Sequence, residues 1–306
     1  MTARHDRIAR LLLNWYERHG RAHLPWRRTR DPYSILVSEF MLQQTQVDRV
    51  LPKYEAFLAR FPGVASLAAA TTADVLRMWQ GLGYNSRAVR LKQIAQMVVD
   101  RFGGVMPSDE QTLRSLPGIG PYTVAALRAF AFDCDDAAID TNVRRVTHRV
   151  VHGLEHPPKV AQSHLDDDAR ALVPHGRGHD WNSAMMDLGA TVCTARAPKC
   201  LFCPLQAACA AAPIDPALLE RARVTHARRR SPQQAVPFEQ TTRYARGRII
   251  DRLRALPAGQ RISLLDLHRE VTGHIGRSSQ DLEQLVQALE RDGLVAVRGT
   301  SVSLRD

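Results

Sequence analysis

Four of the five cysteines crowd into one stretch of seventeen residues, "CTARAPKCLFCPLQAAC". They are Cys193, Cys200, Cys203 and Cys209, spaced C-x6-C-x2-C-x5-C, while Cys134 stands apart. In a reducing compartment, thiols clustered in this way are metal ligands rather than disulfide partners. Structural zinc usually takes two C-x2-C pairs separated by a longer loop. Here all four thiols share one short loop stiffened by Pro198 and Pro204. That arrangement suits a [4Fe–4S] cubane better, with zinc as the alternative.

Two carboxylates stand out upstream. Glu39 is flanked by Leu36, Val37, Phe40, Met41 and Leu42. A carboxyl group among apolar side chains is poorly solvated, which favours its neutral, proton-donating form. The commoner use of a helix glutamate is to reach solvent. Asp140 stands directly before "TNVRRVTHRVV", where an aspartate caps a helix.

A third candidate is "LPGIGPYTV", Leu116 to Val124. Gly118 and Gly120 permit a tight turn whose N–H groups, at the start of the next helix, can hold a phosphate without reading sequence. A packing turn between two helices is the alternative.

These groups need a scaffold, and the pattern is helical almost throughout. "RDPYSILVSEFMLQQ" begins with Asp31 as an N-cap and Pro32 at the first helical position. "PSDEQTLRSL" offers Ser108 with Gln111 three residues later, a capping box. Pro121 suits the first turn after the hairpin. There is no βαβ alternation, GxGxxG or P-loop. Residues 213–240 carry four prolines and the run "RARVTHARRR", and read as a basic linker.

The last stretch, 241–306, changes character. "YARGRIIDRLRAL" is a helix with Ile249, Ile250, Leu253 and Leu256 on one side, and "RISLLDLHREV" a short strand followed by a helix. "SSQDLEQLVQALERDGL" is a helix with Leu282, Leu285, Val286 and Leu289 inward, and "LVAVRGTSVSLR" a hairpin around Arg298, Gly299 and Thr300. The order reads as a small winged-helix-like α+β domain, a fold that binds DNA or docks a protein partner.

The chain has 306 residues, 44% of them hydrophobic, enough for two domains. Lys plus Arg outnumber Asp plus Glu by 42 to 31, a net charge of +11. Such a field favours a polyanion, nucleic acid first. No apolar run approaches the ~20 residues that span a bilayer, and the basic N-terminus lacks the apolar core of a signal peptide. A cytoplasmic, nucleoid-associated protein with no membrane partner is expected.

In order, the chain carries "VSEFMLQQTQV", "GLGYNSRA", "LPGIGPYTVAA", "IDTNVRRV", "WNSAMMDLGATVC" and the four-cysteine loop. Together these closely resemble the MutY family of adenine DNA glycosylases, within the helix-hairpin-helix (HhH-GPD) superfamily of base-excision repair glycosylases. The likeness covers about residues 8 to 210. It implies a mainly α fold of two helical subdomains with DNA and the active site in the cleft between them. One subdomain takes 1–28 and 136–212, with an iron–sulfur cluster loop at 193–209. The other, of six helices, takes 29–135, with the helix-hairpin-helix at 108–132. It also implies a monomer acting on double-stranded DNA. The substrate would be adenine flipped out of the duplex where it mispairs with 8-oxoguanine or guanine.

The resemblance assigns roles residue by residue. Hydrolysis of an N-glycosidic bond needs an acid for the departing base and a carboxylate for the cationic sugar. Glu39 would protonate the adenine ring. Asp140 would face the sugar C1′ as nucleophile or electrostatic partner, supported by Asn142. Thr141 stands where the family usually has glycine. Tyr122 occupies the hairpin position where bifunctional relatives carry a lysine that attacks the sugar as a Schiff base. Tyrosine cannot form that imine, so a monofunctional hydrolase is expected. Gln44 and Tyr84 would enter the duplex and fill the gap left by the extruded base. Trp26, Arg27, Leu42 and Thr45 would line the base pocket. Ser183 replaces a longer carboxylate or amide that many members use on the adenine. Gly118 and Gly120 would grip the backbone.

Members of the family typically end in a longer Nudix-like domain that checks for 8-oxoguanine. The shorter ending here implies a smaller preference for 8-oxoguanine over guanine. Arg277 and Arg298 would add salt-sensitive duplex affinity. Two other readings are a thymine or uracil mismatch glycosylase, and a non-enzymatic iron–sulfur DNA-binding regulator, against which Glu39 and Asp140 argue.

Overall fold

Apolar residues at helical spacing, closed off by polar caps, account for most of the chain. The computed structural model describes residues 2–156, 158–228, 237–275 and 278–306. The helices in the first half are α1 (Ala3–His19), α2 (Pro32–Leu42), α3 (Val47–Arg60), α4 (Val64–Ala69), α5 (Thr72–Met78), α6 (Ser86–Phe102), α7 (Glu110–Arg114) and α8 (Pro121–Ala131). Then follow α9 (Thr141–Val151), α10 (Gln162–Ala171), α11 (Gly178–Thr191), α12 (Pro216–Arg228), α13 (Thr242–Arg254), α14 (Leu264–Ile275) and α15 (Ser279–Arg291). No described helix is long and apolar enough to cross a membrane. The chain forms two compact units. The first comprises Met1–Leu36, Ser108–Ser115 and Ile119–Pro232, and the second Val37–Pro107, Leu116–Gly118 and Gln233–Asp306.

The first unit is built on three helices. Ile8 and Leu12 of α1, Val146 and Val150 of α9, and Trp181, Ala184 and Leu188 of α11 form one buried core, which Leu205 of the cysteine loop joins. The i, i+4 spacing within each helix puts these side chains on one face. Thr2 caps α1 by accepting the His5 N–H. Helix α7 begins one residue later than its sequence predicts. Asp109, not Ser108, is the N-cap, and its carboxylate accepts the Thr112 N–H at 2.8 Å. The Ser108 carbonyl instead accepts from Arg128. Within the stretch read as a linker, Pro216–Arg228 is helical and Leu219 is buried; the end of the "RARVTHARRR" run lies outside the described residues.

The second unit holds α3–α6 and the C-terminal domain. Phe57 packs edge-on against Phe61 and Trp79, with ring centroids 5.0 and 6.0 Å apart. In the C-terminal domain, β1 (Ile262–Ser263), β2 (Val295–Arg298) and β3 (Ser301–Leu304) form an antiparallel sheet in the order β1-β3-β2. Ile262 pairs with Val302 and Arg298 with Ser301, so Gly299 and Thr300 make the hairpin turn. Helix, strand, two helices and hairpin follow in the winged-helix order expected from sequence. Ile249, Ile250 and Leu253 are buried on α13, as are Leu282, Leu285, Val286 and Leu289 on α15. Leu256 falls beyond the end of α13. Arg298 is exposed, and Arg277 lies outside the described residues.

Candidate active site

Asp140 caps α9 with both of its oxygens engaged. Oδ1 accepts the Val143 N–H at 2.7 Å, and Oδ2 accepts the Asn142 side-chain amide at 2.9 Å. The chain of contacts continues inward. Arg145 donates to Asn142 Oδ1 at 2.9 Å, to the Gly189 carbonyl at 2.7 Å and to the Cys193 carbonyl at 2.9 Å. The half-buried Asp140 carboxylate is thus tied through two side chains to the first cysteine of the loop. Gly189 sits where α11 meets Asn142: a Cβ there would stand 2.7 Å from the Asn142 Cβ, closer than carbon atoms pack. Sequence reading found Asp140 and Asn142 but not Arg145, because its partners are 44 and 48 residues away.

Arg27 and Ser183 meet. The Arg27 guanidinium donates to Ser183 Oγ, lies over the Phe130 ring at 5.4 Å and stands 3.6 Å from Asp187. Asp187 is 1% exposed and is held mainly by Arg21, at 2.7–2.9 Å through three donors. Trp26 is buried in the short turn Pro25–Arg27. Tyr122, in the first turn of α8, lines a cavity of about 420 Å³ with Arg114, Ala137, Ile139, Arg144 and Asp166. Gly120 caps α8 with an open space where a side chain would be.

The four cysteines of the loop are half-buried. Two short turns, Cys200–Phe202 and Gln206–Ala208, fold the loop back on itself. A fully buried guanidinium fastens it: Arg149 donates to the Thr194 carbonyl at 2.8 Å and to Cys193 Sγ at 3.5 Å, while pairing with Glu155 at 2.6 Å. Burial alone would raise the Glu155 carboxyl, but the hydrogen bonds and charge of Arg149 hold it below the ordinary glutamate value. Burial, with Cys193, Cys209 and Cys200 nearby, pushes the Cys203 thiol up to about 12, against an N–H from Leu205 that lowers it. Burial also raises the Cys209 thiol, against N–H groups of Ala211 and Ala212. Among the described residues, no three metal-binding side chains close around the position of a single ion.

In the second unit, Glu39 is 7% exposed on α2, among the apolar residues its sequence predicts. Leu42 is half-buried at the end of the same helix. Gln44 and Tyr84, the two residues expected to enter the duplex, both have left-handed backbones, with φ 55° and 44°. Side chains with a Cβ avoid that region, and holding them there stores strain. Buried Arg87 holds both loops. Its guanidinium donates to the carbonyls of Phe40, Met41, Gln43, Leu82 and Gly83 and to Thr45 Oγ1, at 2.6–3.2 Å. Burial lowers Arg87 to about 10, with Tyr84 opposing and Arg243 adding to the shift, so it stays charged at neutral pH. Gly118 has φ +80°, and a Cβ there would meet the Arg90 side chain at 2.8 Å; the left-handed backbone of this turn favours glycine. Sequence reading placed Arg87 inside a motif without seeing its role.

Residues 37–167 match the family described as HhH-GPD superfamily base excision DNA repair protein. The chain is 48% identical over 195 residues to a Mycolicibacterium smegmatis adenine DNA glycosylase, covering 63% of this chain and 66% of that protein. It is 42% identical over 249 residues to a Mycobacterium tuberculosis adenine DNA glycosylase, covering 80% of this chain and 77% of that one. In three dimensions it is similar to a thermostable thymine-DNA glycosylase, with a TM-score of 0.63, 31% identity and coverage of 68% of this chain and 95% of the other.

Proposed function

The chain belongs to the HhH-GPD superfamily of base excision DNA repair proteins, among its adenine DNA glycosylases, and from that premise we propose how its residues excise the base and from which mispairs. The enzyme removes adenine from DNA in base excision repair. The mispairs are adenine opposite 8-oxoguanine or guanine, and the reaction is a hydrolysis that leaves the strand intact. The observation that carries this reading is the fixed carboxylate of Asp140, held by Val143 and Asn142, in a chain whose other candidate carboxyl, Glu39, is buried among apolar side chains.

With adenine extruded, Glu39 passes its proton to the purine ring and weakens the bond to C1′. That bond breaks and its electron pair leaves with adenine. The Asp140 carboxylate meets the positive charge at C1′. Water adds to C1′ and returns a proton to Glu39, and the products are free adenine and an abasic site. Asn142 and Arg145 keep Asp140 aimed. Tyr122 offers no amine, so no imine links enzyme and sugar. The family resemblance assigns Trp26, Arg27, Leu42, Thr45 and Ser183 to adenine recognition, and Gln44 and Tyr84 to filling the vacated stack. Gly118 and Gly120 let the hairpin backbone approach a phosphate.

Cys193, Cys200, Cys203 and Cys209 would hold a [4Fe–4S] cluster. The supporting observation is the donor set. Burial, with the neighbouring sulfurs adding to it, raises the Cys203 and Cys209 thiols, against backbone N–H groups of Leu205 at Cys203 and of Ala211 and Ala212 at Cys209. Thiolates so crowded need a cationic core, and N–H donors to sulfur tune such a cluster. When bound, it would order the loop that carries Arg196 and Lys199.

The test offers the protein four duplexes, with A opposite 8-oxoguanine, A opposite G, T opposite G and U opposite G. Release of adenine from the first two, with strand cleavage only after alkali, is the expected result. Release of thymine or uracil instead would assign the enzyme to the thymine or uracil mismatch glycosylases.

A further inference from the structure

In a winged-helix domain that reads DNA, the helix before the hairpin enters the major groove. Here that helix is α15, and its charges are wrong for the task. It carries Asp281, Glu283 and Glu290 against Arg291 alone, and it presents Gln284 and Gln287 to solvent. The positive charge sits on α13 instead, which holds five arginines and one aspartate.

Helix α13 is joined to the loop that bears Tyr84. Arg254 donates to the Leu76 carbonyl at 2.9 Å and to Asn85 Oδ1 at 2.6 Å. At the other end of the helix, the exposed Arg243 lies over the Tyr84 ring, 3.8 Å from its centroid, and donates to the Tyr84 hydroxyl at 2.5 Å. Between the loop and the helix lies a cavity of about 580 Å³, lined by Tyr84, Phe238, Tyr244, Arg243, Arg246 and Arg248 among others. Aspartate is sparse in it: Arg246 is paired with Asp292, and Asp251 is the one acidic side chain in the lining. The Arg248 Nε is buried and has no hydrogen-bond partner among the described residues.

Aromatic rings interleaved with guanidinium groups bind a nucleotide through its base face and its phosphate together. A volume of this size accommodates one. The residue at its edge, Tyr84, is the one expected to enter the duplex. We infer that this cavity is a second DNA subsite, in which Arg243 grips the strand beside the Tyr84 wedge, so that the C-terminal domain strengthens mispair binding through α13 and not through α15. The inference rests on the proposed adenine-excising role and adds a contact that the glycosylase helices do not supply by themselves.

The test measures binding of the full chain to a duplex carrying 2′-fluoro-2′-deoxyadenosine, which resists excision, opposite 8-oxoguanine. Arg243→Ala should weaken binding about 10-fold and reduce the salt slope by about one. Arg243→Lys should recover the slope but not the affinity, because an ammonium does not stack as a planar fork does. Arg243→Ala combined with Tyr84→Ala should cost less than the sum of the two single changes. The paired change Gln284→Ala and Gln287→Ala should bind as the wild type does. Wild-type affinity in Arg243→Ala, full additivity with Tyr84→Ala, or a loss from the α15 pair would each overturn the inference. Failure of the wild type to release adenine from an ordinary mispair would defeat the functional reading instead, and leaves the binding comparison readable.

Discussion

The guanidinium of Arg87 donates to the carbonyl of Gln43 at 2.6 Å, one residue before Gln44 turns into the left-handed region. The same group holds Leu82 and Gly83, directly before left-handed Tyr84. One buried cation therefore pins both strained loops.

Arg87→Ala should destabilise the protein by about 3 kcal/mol, since several carbonyls lose their donor. Arg87→Lys should fold better, yet three ammonium hydrogens cannot serve six acceptors. Its affinity for a mispaired duplex should fall at least 10-fold. Unchanged affinity in a folded Arg87→Lys protein would show that the loops hold themselves.

Glu39→Gln and Asp140→Asn should each slow adenine release by roughly 10²- to 10⁴-fold while binding of mismatched duplex persists. Single-turnover release and a binding titration on the same preparations separate the two effects. A parallel fall in both would mark these carboxylates as structural.

Wild-type product should be an intact strand with an abasic site, nicked only on alkali treatment. Borohydride should trap no covalent complex, because Tyr122 has no amine. Trapping by the wild type would sink the monofunctional reading. Tyr122→Lys is the positive control, as it restores an amine at the hairpin.

Protein purified without oxygen should be brown and contain four irons per chain. Stoichiometric zinc would defeat that assignment. Cys200→Ser should lose the iron and bind DNA more weakly, as Arg196 and Lys199 lose their positions. Cys134→Ser should do neither, because Cys134 stands apart from the loop.

Glu155 gives the loop a pH dependence. Its folded value lies below the ordinary 4.5, so its contribution is present above that pH and is lost as the pH falls through the lower value. Glu155→Gln should be less stable than wild type by about 2 kcal/mol at pH 7, with the gap narrowing as the pH falls below the ordinary 4.5. Urea midpoints at pH 7, 4 and 3 check this; a gap independent of pH would remove the Arg149 pair as its cause.

Local pattern made much of this architecture legible. Asp31 and Asp140 announce their helices by type and position, and the run of apolar residues around Glu39 forecasts its burial. The hairpin at Gly299 and the inward leucines of α15 follow from period alone. What escaped reading is what lies far apart in the chain. Arg87, Arg145 and Arg149 look like surface arginines in sequence, because most of their acceptors are backbone carbonyls, which leave no signature. The Ser108 cap failed for a local reason: an adjacent aspartate competes for the same N–H groups, and its charge makes it the stronger acceptor. Helix α12 was hidden by prolines at its flanks and by the basic run within it.

Gly189 carries no functional group, touches no substrate in the proposed reaction and would pass unnoticed in any ranking of positions by chemistry. Yet a methyl group there would stand only 2.7 Å from the Asn142 Cβ, on the side chain that supports Asp140. Random mutation does not weigh positions by their chemistry. A single-base change that turns this glycine into any larger residue pushes on the support of the carboxylate as surely as replacing the support itself. Loss of repair in a lineage can begin there, with every catalytic residue still in its sequence.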